Sequence, residues 1–236
     1  MVSWNIRDLL DDPLAVRRVL RALAADVVCL QEAPRRPGGG LRIRALAHAT
    51  GLRHVGGGRT SGGTALLLSP RVVVRSLQAF RLPVRGLVTR TRGAVVASLV
   101  VRDGGRLVVA CVHLPLTPQD RLDHARRVQR VLAATVAREA GRTAVLVAGD
   151  FNEPAGEPAW RAFEPLVTDV VPSAAPTYPA AVPGGRIDAL LLGPHCHVLT
   201  YGDGGADPDE VRQASDHRPV VVDLELPRDA LDGGGS

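Results

Sequence analysis

The chain has 236 residues, of which 45% are hydrophobic and 3% aromatic, and its formal net charge is +5. That length supports one large domain whose core must be built from Val, Leu, Ile and Ala, and no run of about 18 apolar residues is available to cross a membrane. The shortage of rings counts against a platform on which nucleic-acid bases stack.

Taken in chain order, Val2 to Asn5 reads as a short strand. Asp12-Pro13 then gives a helix start, and Val16, Val19, Leu20 and Leu23 follow at helical spacing. Val27 to Leu30 is a compact apolar strand running into Gln31-Glu32, and a second helix is expected over Leu41 to Thr50, stopping at Gly51. Successive strands follow at Thr64 to Leu68, Val72 to Leu77, Ala94 to Val101 and Leu107 to His113. Thr117-Pro118 opens a long helix whose apolar stripe is Leu122, Ala125, Val128, Leu132 and Val136. Val145 to Ala148, Ile187 to Leu192, His197 to Thr200 and Val220 to Leu224 complete the strands. The pattern predicts two packed sheets with helices outside. One domain is expected over residues 1–228, with a flexible glycine-rich tail at 229–236.

Met1 is followed almost at once by Ser3, Asn5 and Arg7, so no cleavable signal is expected. Cys29, Cys111 and Cys196 form no CxxC pair, which suits buried, reduced thiols in a cytoplasmic protein, and a monomer is expected. All 29 basic residues are arginine, and codon bias accounts for the choice over lysine. It does not account for their placement. Between Ala33 and Arg102 there are thirteen arginines and no acid, while the rest of the chain has 16 arginines against 24 acids. A one-signed region of this length fits either a solvated surface or a phosphate-bearing partner.

The polar residues Asn5, Glu32, His113, Asp150, Asn152, Asp188, Asp216 and His217 all fall at or just beyond expected strand ends, where a rigid scaffold can present them to a ligand. Any one of them has a structural explanation, and their carboxylates, if they converge, call for a hard divalent ion such as Mg²⁺ or Mn²⁺. His195-Cys196-His197 suggests zinc only weakly, because no further ligands are nearby. Asp203, Asp207, Asp209 and Glu210 are expected to form a solvated, mobile flap.

The blocks WNI at 4–6, QE at 31–32, VHL at 112–114, GDFN at 149–152, RID at 186–188 and SDH at 215–217 resemble, in order, the motifs of the endonuclease/exonuclease/phosphatase superfamily. The resemblance implies a four-layer α/β sandwich, two packed mixed sheets flanked by helices. It implies a metal-dependent phosphoesterase in which Glu32, with Asn5 and Asp216, holds Mg²⁺ or Mn²⁺. Asp150 or His217 would be the base, Asn152 would hold the water or a phosphate oxygen on the same side as Asp150, and Asp188 would orient His217. His113 would donate to a non-bridging oxygen, and Arg92 would contact the substrate phosphate. A phosphodiester substrate, DNA or RNA included, is the leading expectation. A lipid- or sugar-phosphate-directed enzyme and a non-catalytic anion-binding module are the alternatives. Two departures matter: Arg7 stands where the abasic-site endonucleases of the family carry an acid, and VPGGRID lacks their aromatic pocket, which disfavours a repair activity.

Overall fold

The computed structural model describes residues 1–83 and 91–227; the glycine-rich tail at 229–236 lies outside them. Two βαβ units set the architecture. In the first, β1 (Val2–Asn5) and β2 (Val27–Gln31) run parallel, which requires a crossover, and α1 (Pro13–Leu23) supplies it. Its start is fixed by Pro13 at the first turn and by Asp12, whose carboxylate accepts from Leu14 N at 2.8 Å. In the second unit α3 (Pro118–Val136) connects the parallel strands β7 (Arg106–His113) and β8 (Ala144–Asp150).

Antiparallel strands extend each pair. The six-stranded sheet has the order β10 (His197–Gly202), β11 (Val220–Glu225), β1, β2, β4 (Ala65–Leu68), β3 (Arg53–Gly57). The five-stranded sheet has the order β5 (Val72–Leu82), β6 (Arg92–Val101), β7, β8, β9 (Asp188–Leu192). Strand alternation sorts the side chains into layers. On β2, Val28 and Leu30 join the core under α1 and α2 (Gly39–Ala49), while Val27 and Cys29 face the other sheet. On β8, Val145 and Val147 pack with the helix on the far side, while Leu146 and Ala148 complete the middle core. Helix, sheet, sheet, helix is the predicted four-layer sandwich. No helix among the described residues is long and apolar enough to cross a membrane.

Four elements depart from expectation. The edge strand β3 is polar and glycine-rich, and the second half of β5, LQAFRL, interrupts its apolar residues with Gln78 and Arg81, so neither is marked as a strand by its sequence. The short helices α4 (Pro158–Arg161) and α5 (Pro208–Ala214) were not anticipated. The expected acidic flap is in fact organised. Asp207 caps α5 by accepting from Asp209 N and Glu210 N, Glu210 pairs with Arg18 Nε at 2.7 Å, and Val211 and Ala214 are buried in the core they share with α1.

Glu153 anchors α4. Its carboxylate pairs with Arg121 Nε at 2.8 Å and accepts from Ala159 N at 2.6 Å and Trp160 N at 3.2 Å, and both charged side chains are buried. Glu153→Ala strands a buried guanidinium and two helix N–H groups. It is expected to cost about 3 kcal/mol, read from the urea midpoint, with Arg121 keeping only its bonds to the Pro115 and Leu116 carbonyls.

Candidate active site

The C-terminal ends of β1, β2, β7 and β8 open at one mouth, and β9 and β11, antiparallel to their neighbours, begin there. In the five-stranded sheet the register places His113 beside Asp150 and Asp150 beside Asp188, all in the inward-facing phase of their strands. Three polar side chains therefore stand in a row across three strands. Gly149 makes this row possible, because a Cβ there would lie 2.2 Å from the Val112 carbonyl oxygen and push β8 away from β7.

The six-stranded sheet contributes from across the seam. Asn5 Nδ2 donates to Asp150 Oδ2 at 3.1 Å, and His217 Nδ1 lies 2.9 Å from Asp188 Oδ2. Since a carboxylate only accepts, Nδ1 carries the proton and Nε2 points at Asn5 Nδ2 (3.4 Å) and Asp150 Oδ2 (3.9 Å). His113 Nε2 reaches the same oxygen at 3.4 Å. Asp150 Oδ2 is thus the hub on which Asn5, His113 and His217 converge.

Burial and like charge set the protonation. Desolvation and then the Asp188 charge push the Asp150 carboxyl up to about 7, against the pull of His217, Asn5 and the Asn152 N–H. For His217, burial alone would lower the value. The charge and hydrogen bond of Asp188, joined by Asp150 and Asp216, outweigh it and raise the imidazolium to about 9.

Asn152 does not sit where an extended chain would put it. Phe151 turns into the outer core against Trp160 and Phe163, Asn152 adopts φ 53°, and its N–H donates to Asp150 Oδ1 at 2.9 Å. Its side-chain amide donates to the Leu114 carbonyl at 2.8 Å, clasping the loop after β7. Glu32 follows Gln31, the register partner of Asn5; it is half-buried at φ 49°, a left-handed conformation a non-glycine residue adopts at a cost of about 1–3 kcal/mol. Asp216 is partly exposed at the rim, 3.5 Å from Arg7 Nε, and Arg7 also holds Asp11 at 2.9 Å. Arg92 is buried at the start of β6, one residue before Gly93, which stands opposite His113.

Sequence reasoning missed several supporting residues. Ser215 Oγ donates to the Asn5 carbonyl at 2.7 Å and accepts from His217 N, while Trp4 Nε1 donates to the His217 carbonyl at 2.9 Å. Thr177 Oγ1 accepts from the Ile187 and Asp188 N–H groups, and the Tyr178 ring lies 4.7 Å from the His217 ring. Trp4 and Ser215 lay within the quoted blocks but carried no chemical signal; Tyr178 is one of only two tyrosines in the chain.

The donors fit a divalent cation. Asp150, Asp188 and His217 each offer a ligand atom within 4.8 Å of the others, the one such group among the described residues. Asp188 Oδ1 is buried without a hydrogen-bond partner, and a buried carboxylate oxygen calls for a proton, a water or a cation. Carboxylate oxygens dominate and no thiolate is present, which favours a hard ion. Asn5, Glu32 and Asp216 flank this group rather than form its centre. His195, Cys196 and His197 gather no such set.

The profile of the Endonuclease/Exonuclease/phosphatase family matches residues 2–217. No curated protein sequence matches the chain. Among solved structures, a mannosyl-6-phosphatase of Bacteroides thetaiotaomicron superposes with a TM-score of 0.73 at 19% identity, over 91% of this chain and 90% of that one. The human Nocturnin catalytic domain gives 0.65 at 16% identity, over 96% and 93%. ANGEL2, a 2′,3′-cyclic phosphatase, gives 0.68 at 12% identity, over 89% and 84%. These likenesses concern the fold, and the match along nearly the whole sequence settles descent: the chain belongs to the endonuclease/exonuclease/phosphatase family of phosphoesterases.

Proposed function

We propose that the chain is a divalent-metal-dependent phosphodiesterase that hydrolyses its substrate by direct attack of water. The observation that carries this reading is the convergence of Asn5, His113 and His217 on Asp150 Oδ2, with Asp188 locked behind His217. Asp150 takes the proton of the attacking water; with a value of about 7 it is a competent base under neutral conditions. The new P–O bond forms as the bond to the leaving oxygen breaks. His217, protonated up to about 9, donates from Nε2 to the phosphoryl group or the departing alkoxide, while Asp188 keeps Nδ1–H engaged. His113 donates to a non-bridging oxygen, and Arg92 offers charge to the phosphate from β6. Asn5, Glu32 and Asp216, which flank the Asp150–Asp188–His217 group, would hold the ion from its rim, leaving Asp150 and His217 free for proton transfer. Mg²⁺ or Mn²⁺, when bound, would supply Lewis-acid charge to the reacting phosphoryl group.

The second reading is a monoesterase on sugar phosphates, favoured by the likeness to a structure described as a mannosyl-6-phosphatase. A panel of bis(p-nitrophenyl) phosphate, p-nitrophenyl phosphate, plasmid DNA, RNA and hexose 6-phosphates, with Mg²⁺ or EDTA, separates them. The expected result is diester turnover at least about tenfold above monoester turnover and lost in EDTA. Preference for monoesters selects the second reading, and EDTA-resistant activity or none at all defeats the first.

A further inference from the structure

Several described arginines of the acid-free stretch are gathered by the fold onto one flank. β3 is the edge of one sheet and β5 the edge of the other, and the two strands pack together; a Cβ on Gly56 would lie 2.6 Å from the Leu77 side chain. Helix α2 packs on β3, and the 3-10 turn Gly58–Ser61 lies against α2 and β5. This surface exposes Arg44, Arg53, Arg59, Arg75 and Arg81. Arg81 donates through Nε and a terminal nitrogen to the Arg59 carbonyl at 3.1 and 2.9 Å, which brings two of these residues together. The stretch itself brings no acid to this surface, since residues 33–102 contain none; Asp26, from outside it, pairs with Arg71 near the Arg53 end. At the other end of both sheets, residues 144–227 carry 13 acids against 4 arginines. The molecule is electrically polar across its sheets.

The flank also runs into the mouth. A Cβ on Gly93 would lie 2.4 Å from the Ser61 carbonyl oxygen, and Gly93 stands opposite His113. Arg35 bridges the same junction by donating to the Gly62 and Thr91 carbonyls at 3.3 and 2.9 Å. A ligand entering the site over β6 therefore continues along the arginines.

We infer that the α2–β3–β5 flank is a docking surface for double-stranded nucleic acid, which it grips by the phosphates outside the catalytic mouth. Arg75 to Arg81 covers six residues of strand, about 20 Å, which matches about six phosphates of one strand. Single strands are usually held on exposed rings, and Phe80 on β5 is instead partly buried against the helix-side core. Phosphate contact without stacking suits a duplex. The competing explanation is that charge on β3 and β5 only prevents edge-to-edge sheet pairing. That need is met by either sign, and it explains neither the exclusion of acids nor the continuity with the mouth.

The inference rests on the phosphodiesterase reading for its purpose, but the test separates the two. Anisotropy of a fluorescent 25-base-pair duplex is measured in EDTA, so no cleavage intervenes, over a range of salt concentrations. The wild-type chain should bind with a log–log salt slope of magnitude about 4.5, from five arginines at about 0.9 each. Arg44→Glu/Arg59→Glu/Arg75→Glu should weaken binding at least about 30-fold and flatten the slope by about 3. Its hydrolysis of bis(p-nitrophenyl) phosphate with metal should remain within about twofold of wild type. If that variant does not fold, the single Arg→Gln changes should each weaken binding about threefold. Unchanged duplex affinity in either set overturns the inference while leaving diester hydrolysis standing. Tighter binding to phosphatidylserine vesicles than to duplex also overturns it. Failure of wild-type diester hydrolysis with duplex binding intact would instead remove the phosphodiesterase reading alone.

Discussion

Asp150→Ala is expected to lower kcat/KM for a phosphodiester by about 10³- to 10⁴-fold, measured by steady-state hydrolysis with saturating Mg²⁺. The size follows from the geometry, because Asn5, His113 and His217 all address Asp150 Oδ2 and no other carboxylate occupies that point. A loss smaller than tenfold would mean that the proton leaves through another group. Asp150→Asn should be similarly inactive, yet its stability should show what the carboxylate costs the fold. With Asp150 raised to about 7 from a usual 3.8, the protonated form is favoured in the folded state. The stability this lends is full below about pH 4 and is lost as pH climbs through 7. In EDTA, the melting temperature of the asparagine variant relative to wild type should therefore rise between pH 5 and pH 8. Added Mg²⁺ should stabilise wild type more than the variant at the higher pH. A pH-independent difference would show that Asp150 is ionised throughout.

Asp188→Asn is expected to reduce kcat by about 10³-fold with KM little altered, because an amide can stabilise the wrong tautomer of His217 and cannot support an imidazolium. The pH–rate profile provides the stricter check. Wild type should show a bell, with an acid limb near 7 from Asp150 and a basic limb near 9 from His217. The largest influence raising His217 is the Asp188 charge, so the basic limb should move to lower pH in the variant. A profile with an unmoved basic limb would assign that limb to another group.

The sequence made the scaffold legible wherever apolar periodicity was strong. β1, β2, β7 and β8 are almost wholly buried and the two crossover helices each bury one face, and their patterns report it. The edge elements were not legible for a physical reason. β3 (RHVGG) and the end of β5 take their structure from the partners to which they hydrogen-bond, and α4 and α5 are too short to form by propensity. They exist because Glu153 binds the first turn of one and Asp207 caps the other. The site shows the same division. Strand ends marked the polar residues, and the motif blocks marked which ones mattered. The left-handed turn at Asn152 is a local bond onto the Asp150 carboxylate that the extended-strand reading overlooked, whereas the rim positions of Glu32 and Asp216 arise from contacts between segments far apart in the chain.

The hub is divided between the two halves of the sandwich, with Asn5 and His217 from one sheet and His113, Asp150 and Asp188 from the other. Neither half holds a working set by itself, so any slippage of one sheet over the other disassembles the chemistry before either sheet unravels. The contacts that cross the joint are the Asn5 bond to Asp150 and the His217 bond to Asp188, so these two pairs act as the rivets between the halves. Turnover in this chain is accordingly a gauge of how tightly its two halves are closed.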